Sequence, residues 1–428
     1  RSICYSVRQL SRRRPTPPIE GEAGSEMTGN ATITTGWRAW AGLTLVGLLF
    51  LVAAVGALAK QAMSPLYLLV MAIVLIASYA DRKRWPTPQR PIWLFFAALV
   101  IYVAATQAFV SPCGQCTLKG PEKLAMLGAT LWFLAPGALQ PASWLPRDRI
   151  YRGLFAGVIV GAVLVSVELI FDAPLYRAFN GLAVDAKVEA SRYNRGISAL
   201  VILAWPLTAY LVSRAQGGTA FLVIGASLVA AALGESAAAL LSAIVAIAIY
   251  PIARLNPRAV LFAGAGLLSF GIAAAPWIGG RALDWGRALS GQVADSYFHR
   301  LEILDHAASR ALERFWTGWG LGGYRYTPTT TEDLARYRIF DHPTTHPHNA
   351  AIQAWVELGL FGAVLAIGLV WLTTFAIARM PVKIQPAAIA GFAAVTVTAL
   401  LAYGLWQTTW MAIMGLTAAL FVFLARGL

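Results

Sequence analysis

All five histidines of this 428-residue chain, His299, His306, His342, His346 and His348, fall inside one fifty-residue stretch. Three of them open "HPTTHPHNAAIQAWVELGLFG" (342–362), where a polar segment gives way to an apolar run. Pro347 resists a helix interior, so His348 and Asn349 are placed at the N-terminus of the helix that follows. Unpaired N–H groups and the positive end of the helix dipole favour a bound anion there. A histidine beside an anion at a membrane surface is suited to general-base work. The plainer alternative is that Asn349 caps the helix and His348 is a solvated loop residue.

Other residues could join this chemistry. "SRYNRG" (191–196) sets Arg192 and Arg195 just before an apolar run, and Arg300 begins "RLEILDHAASRALERFW" (300–316). Arginine binds phosphate bidentately at any pH. Converging near His348, these three would form a diphosphate clamp; taken singly, each reads as a surface arginine meeting lipid headgroups. Glu357 lies about 12 Å below the helix start at 1.5 Å per residue, a depth at which an acid is costly; it either pairs with an arginine or is a buried structural acid. Gly359 and Gly362, three apart on one helix, permit close helix packing in lipid. Glu235, in "GES" (234–236), occupies a tight hairpin on the same outer face and reads either as a turn acid or as part of the site. The H-x-H spacing of His346 and His348, with no cysteine nearby, is a poor zinc-ligand set, and no phosphate-loop, H-E-x-x-H or G-x-S-x-G pattern is present. Neither a metal nor another cofactor is expected.

The elements that must hold these residues are membrane helices. The chain is 58% hydrophobic and only 13% charged, with mean hydropathy +0.63, against about 25% charge in soluble domains. The runs do not alternate as barrel strands would. The reading is an all-α integral membrane protein with about twelve spans, near 38–59, 65–80, 91–110, 124–142, 153–171, 196–213, 219–234, 236–253, 259–279, 350–378, 386–402 and 405–425. Connections at 81–90, 146–152, 214, 254–258 and 378–383 are basic, which by the positive-inside rule places them and both termini in the cytoplasm. The net charge of +14 therefore marks those connections and contact with bilayer lipids, not a nucleic-acid partner.

Residues 1–36 read as a basic, disordered cytoplasmic arm, or in part as sequence upstream of a start at Met27, with no cleavable signal peptide. Residues 37–428 form the membrane domain. Two connections on the outer side are long: 172–195, and 280–349 between spans nine and ten. The second holds eight arginines, eight acids and all five histidines, and 300–316 has the spacing of an amphipathic helix. Cys113 and Cys116, in "CGQC", read as a small disulfide in an outer loop, since no thioredoxin-like setting surrounds them.

His348-Asn349, nine residues, then Gly359-x-x-Gly362 resembles the signature of the O-antigen ligase family, which shares a membrane superfamily with the O-antigen polymerases. The span number, the large loop ahead of the motif helix, Arg195 in "NRG" and Arg300 in "RLEIL" agree with it over residues 38–425. One departure is "GES" at 234–236, where many members carry a Ser-Arg pair, so one candidate phosphate-binding arginine is missing here. The resemblance implies a fold of the C-type glycosyltransferase kind in the bacterial inner membrane, with its large loop and active site facing the periplasm. It implies metal-independent, inverting transfer of a glycan from undecaprenyl diphosphate to a hydroxyl of lipid A-core or of another glycan. His348 would deprotonate or hold the acceptor, and Arg195 and Arg300, with Arg192 helping, would stabilise the departing diphosphate. Asn349, Glu357, Glu235, Gly359 and Gly362 would support them. Two alternatives stay open: a polymerase, differing only in its acceptor, and a transporter, which would be expected to show paired repeats and broken helices at mid-membrane.

Overall fold

A computed structural model describes residues 34–109, 119–135, 138–139, 146–183, 185–288 and 295–428. The arm at 1–33 and Cys113 and Cys116 lie outside the described residues. All twelve apolar runs fold as helices: α1 Thr34–Leu58, α2 Met63–Arg82, α3 Arg90–Phe109, α4 Lys119–Phe133, α5 Arg147–Ile170, α7 Asn194–Ser213, α8 Gly217–Leu233, α9 Ala237–Leu255, α10 Pro257–Ala273, α14 Ala350–Ala378, α15 Gln385–Leu401 and α16 Thr408–Ala425. The intervening α6 is Pro174–Asn180, α11 Ala275–Ala288, α12 Asp295–Glu313 and α13 Thr331–Arg336. This is an all-α, multi-pass membrane protein. Among the described residues, eight helices are long and apolar enough to cross a bilayer; α10 with α11, bent by 76°, would make a ninth. The expected ninth span at 259–279 is corrected accordingly: it ends at the bend, and α11 leaves in a new direction.

Glycines decide how tightly the bundle closes. Gly153, Gly157 and Gly161 recur every fourth residue on α5, and a Cβ on them would lie 2.8, 2.6 and 2.6 Å from the α1 carbonyls of Val46, Phe50 and Ala53. Small residues at this spacing let two backbones meet, where lipid gives no hydrophobic drive for helix association. At the far end a Cβ on Gly196 would sit 2.0 Å from the Ala57 carbonyl, pinning the start of α7 to the end of α1. Helix α7 is the central post, almost wholly buried among α1, α5, α8, α9, α15 and α16.

The two ends of the bundle differ. At one, Arg38 pairs with Asp81 at 2.8 Å, Arg214 with Asp148, and Lys383 Nζ donates to the Ser213 carbonyl at 2.7 Å. Asp81, Asp148, Arg214 and Lys383 come from the connections read as basic. The connections around 172–195, 234–236, 274–349 and 401–407 belong to the opposite end. There, α12 spans 295–313, five residues earlier than the spacing suggested at its start. Its apolar side packs on α11 and α14. It thus lies on other helices of the bundle, and part of its polar side is buried as well: Glu302 is fully buried and accepts the N–H groups of Arg338, Ile339 and Phe340 at 2.6, 3.0 and 2.8 Å. Asp305 holds Arg336 at 3.0 Å and the Tyr337 hydroxyl at 2.9 Å. These carboxylates fix residues 336–340, the strap that leads into the histidines.

Candidate active site

Helix α14 starts where Asn349 Oδ1 accepts the Ile352 N–H at 3.1 Å, so Asn349 is the cap. His348, just before it, has left-handed backbone, φ +55°, uncommon outside glycine and a mark of residues held for a purpose. Its ring is fixed by Nδ1 lying 3.0 Å from the Ala402 carbonyl. A carbonyl only accepts, so Nδ1 carries the proton and Nε2 keeps its lone pair. Burial draws the His348 pKa below the usual histidine range; the bond to Ala402 opposes this, and Arg300 and His299 reinforce it. The same causes act on His346, whose ring centre is 4.3 Å away: burial first, then His348, with Arg195 and Arg325 adding, push it down to about 4. Both rings are neutral at pH 7.

The frame for these rings is a segment that hydropathy passes over, residues 401–407 between α15 and α16. Arg300 Nη1 donates to the Leu401 carbonyl at 3.2 Å, next to the carbonyl that holds His348. The Tyr403 hydroxyl reaches the Asn194 carbonyl and Ser198 Oγ, both at 3.1 Å, tying the segment to the start of α7 where Arg195 sits. A Cβ on Gly404 would strike the His346 ring at 2.9 Å. Leu405 N–H donates to Gln353 Oε1 at 2.7 Å, Trp406 Nε1 to Glu357 at 2.8 Å, and Gln407 Nε2 lies 3.3 Å from His346 Nε2. Each residue of the segment fastens one part of the site.

Glu357 meets main-chain and side-chain N–H donors at the edge of the cavity beside His346. It is fully buried and accepts Gly322 N–H at 2.7 Å, Gln353 Nε2 at 2.8 Å and Trp406 Nε1 at 2.8 Å. Asn349, Gln353 and Glu357 follow one another every four residues, a polar stripe down an otherwise apolar helix. That stripe was legible in the sequence; Gln353, which links α14 to 401–407, was the member overlooked.

Gly359 corrects the expectation of simple helix packing. At φ +61° and ψ −155° it interrupts α14, and a Cβ there would lie 2.4 Å from the Trp316 carbonyl. Within lipid, each unpaired backbone group costs several kcal/mol, and here the segment after α12 supplies the partners. Trp319 and Gly320 N–H donate to the Val356 and Glu357 carbonyls at 2.8 Å each, and Leu360 N–H donates to Phe315 at 2.7 Å. The Tyr102 hydroxyl donates to the Leu358 carbonyl at 2.8 Å. Gly362 lies beside the break, where a Cβ would strike the Ala354 carbonyl at 2.4 Å. The glycine-rich stretch 318–323 is thus the complement of the break in α14.

The remaining candidates are placed less centrally. Arg192 stacks on Tyr176, 3.2 Å from its ring centre. Glu235 is exposed in its turn, while a Cβ on neighbouring Gly234 would meet Ile197 of α7 at 2.4 Å. His306 is a core residue: it is fully buried among Tyr324, Tyr337 and Phe340, with Nε2 3.2 Å from the Pro328 carbonyl. His342 is exposed beside Asp341. Of the three clustered histidines, only His346 and His348 meet. A cavity of about 180 Å³ opens beside His346, lined also by Lys123, Arg325, Tyr326, Gln353 and Trp406.

Comparison with known proteins shows what the chain is similar to. Residues 220–367, from α8 to past the break in α14, match the family described as O-antigen ligase. The likeness to that family is thus carried by about a third of the chain. Three curated relatives, named as candidate polysaccharide ligases, come from Rickettsia typhi, Rickettsia bellii and Rickettsia prowazekii, at 25%, 25% and 26% identity over 61%, 62% and 61% of this chain. The chain spans 64%, 65% and 64% of their lengths. The O-antigen ligase match takes in Glu235, Arg300, the three clustered histidines and the Gly359–Gly362 pair. It ends before 401–407, the segment that completes the site in space.

Proposed function

We propose that this protein is a membrane glycosyltransferase that passes a glycan from undecaprenyl diphosphate to an acceptor hydroxyl at the periplasmic face of the bacterial inner membrane, as an O-antigen ligase does when it charges lipid A-core. The observation that carries the reading is the His348 ring: its Nδ1–H is committed to Ala402, its Nε2 is left basic, and Arg300 holds the adjacent carbonyl.

His348 Nε2 takes the proton of the acceptor hydroxyl as that oxygen bonds to the anomeric carbon. The bond from that carbon to the diphosphate oxygen breaks, and undecaprenyl diphosphate leaves with the electron pair. Direct displacement inverts the anomeric centre. Negative charge builds on the leaving diphosphate, and fixed guanidiniums at a low-dielectric boundary stabilise it without reorganising. Arg300 and Arg195 serve here, with Arg192, turned onto Tyr176, in a lesser role. The donor carries its own leaving group, so neither nucleotide nor metal is required. Asn349, Gln353, Glu357 and 401–407 fix the geometry, and the cavity beside His346 has room for part of a glycan.

The test is complementation of a cell lacking this gene, reading lipopolysaccharide on a gel. Wild type should restore a ladder of long chains on the core, and His348→Ala and Arg300→Ala, both reaching the membrane, should not. Single repeat units on the core without the gene and long chains with it would instead assign a polymerase. An unchanged ladder in both variants would remove His348 and Arg300 from the chemistry.

A further inference from the structure

At the basic end of the bundle, remote from His348, the start of α5 and the end of α7 border an open cavity of about 440 Å³. Arg147, Arg149, Arg152 and Arg214 line it, and Pro146 and Asp148 complete its wall. The single acid is already engaged: Asp148 pairs with Arg214 and accepts the Tyr210 hydroxyl at 3.0 Å. Arg152 reaches only the Asp148 main-chain carbonyl, at 3.3 Å. Arg147 is packed against the end of the chain, where a Cβ on Gly427 would meet its Nη2 at 2.0 Å, and its Nε is buried without a hydrogen-bond partner.

We propose that this cavity binds the headgroup of an anionic phospholipid of the surrounding bilayer, with a two-phosphate headgroup such as that of diphosphatidylglycerol as its preferred occupant. Four arginines against one aspartate leave a formal charge of 4 − 1 = +3 around the cavity, which a headgroup with two phosphates answers and a zwitterionic one does not. Guanidinium forks match phosphate oxygens in pairs, and basic pockets between spans are where such headgroups lodge. The same end of the bundle offers an apolar surface for acyl chains: on α8, which starts at Gly217, three residues after Arg214, and packs against α5, Phe221 and Leu222 are 80% and 56% exposed. A soluble diphosphate would satisfy the arginines but leave that apolar face unused. The proposal stands apart from the glycosyl-transfer reading, because it concerns the opposite end of the molecule.

The test is native mass spectrometry of the purified protein released from nanodiscs of phosphatidylcholine containing diphosphatidylglycerol, with inorganic pyrophosphate as the soluble comparison. Wild type should retain diphosphatidylglycerol at least tenfold over phosphatidylcholine. Arg149→Gln/Arg152→Gln should bind it roughly thirtyfold more weakly, as expected for two charges at a membrane surface, and Arg149→Gln alone roughly fivefold. Both variants should melt like wild type in phosphatidylcholine and should still restore a lipopolysaccharide ladder. Equal retention by wild type and both variants, or no preference over phosphatidylcholine, would overturn the proposal. Protection by pyrophosphate equal to that by diphosphatidylglycerol in lipid-free detergent would overturn the lipid as the source of the phosphates.

Discussion

His348 and His306 show how burial gives the same side chain two uses. His348 presents one free ring nitrogen next to the His346 ring, whereas His306 is sealed among aromatic rings and serves packing. Burial lowers the His306 pKa to about 4, with the Pro328 carbonyl opposing, Arg310 reinforcing and Asp333 opposing; His346 falls to about 4 as well. Both depart from an unfolded value of about 6.5. Between those values the unfolded chain binds protons that the folded chain refuses, so stability is full above about pH 6.5 and is lost as pH falls toward 4. Thermal melts in detergent should show the melting temperature dropping from pH 7 to pH 5, and His306→Phe should shrink that drop. An identical pH slope in the variant would show that His306 does not titrate in this window. The cap at Asn349 was legible from Pro347 and the apolar run, whereas the choice of His348 over its neighbours rests on the clustering and the resemblance. The separation of His306 from the cluster was not, because it depends on residues 324–340 folding back onto α12.

At the scale of elements, the functional end is built where regular structure stops. Helix α14 is a 29-residue apolar run without proline, and hydropathy reads it as one continuous span. Its break is signalled only by Gly359, and the partners that make the break tolerable lie some forty residues earlier, at 315–320. Local pattern carries no trace of such pairing. The same holds for 401–407, whose Leu, Ala, Tyr and Trp residues pass as membrane helix although their backbone and side chains fasten His348, His346, Gln353 and Glu357. A Gly359→Ala change combines a backbone conformation essentially confined to glycine, φ +61° and ψ −155°, costing about 1–3 kcal/mol, with a Cβ forced against the Trp316 carbonyl. It should lower the melting temperature and abolish transfer while the protein still inserts. Wild-type stability in Gly359→Ala would mean that the break is incidental.

For the whole molecule, the apolar runs sufficed to locate the long apolar helices among the described residues, and the charges between them grouped the connections at one end. The order of packing was less accessible, because the glycines at 153, 157 and 161 act through their contact with α1; the 76° turn at the end of α10 falls at Pro276, a helix breaker inside an apolar run that hydropathy reads as one span. The proposed orientation is open to labelling: in a cysteine-free background, Asp341→Cys should react with an impermeant maleimide once the outer membrane is opened, and Lys383→Cys only after the inner membrane is breached. The reverse pattern would invert the protein in its membrane and move the site to the cytoplasm. The central claim, that a neutral His348 beside two arginines drives glycan transfer from a lipid diphosphate, is tested most directly by reconstitution. Purified protein, a lipid diphosphate-linked glycan and lipid A-core would be combined in chelator-treated buffer and transfer followed from pH 5 to 8. Wild type should transfer without added metal and stay active below pH 6.5, because the base form of His348 persists there; His348→Gln should lose about 10²–10⁴-fold. Transfer by His348→Gln at the wild-type rate, with an unchanged pH profile, would contradict it.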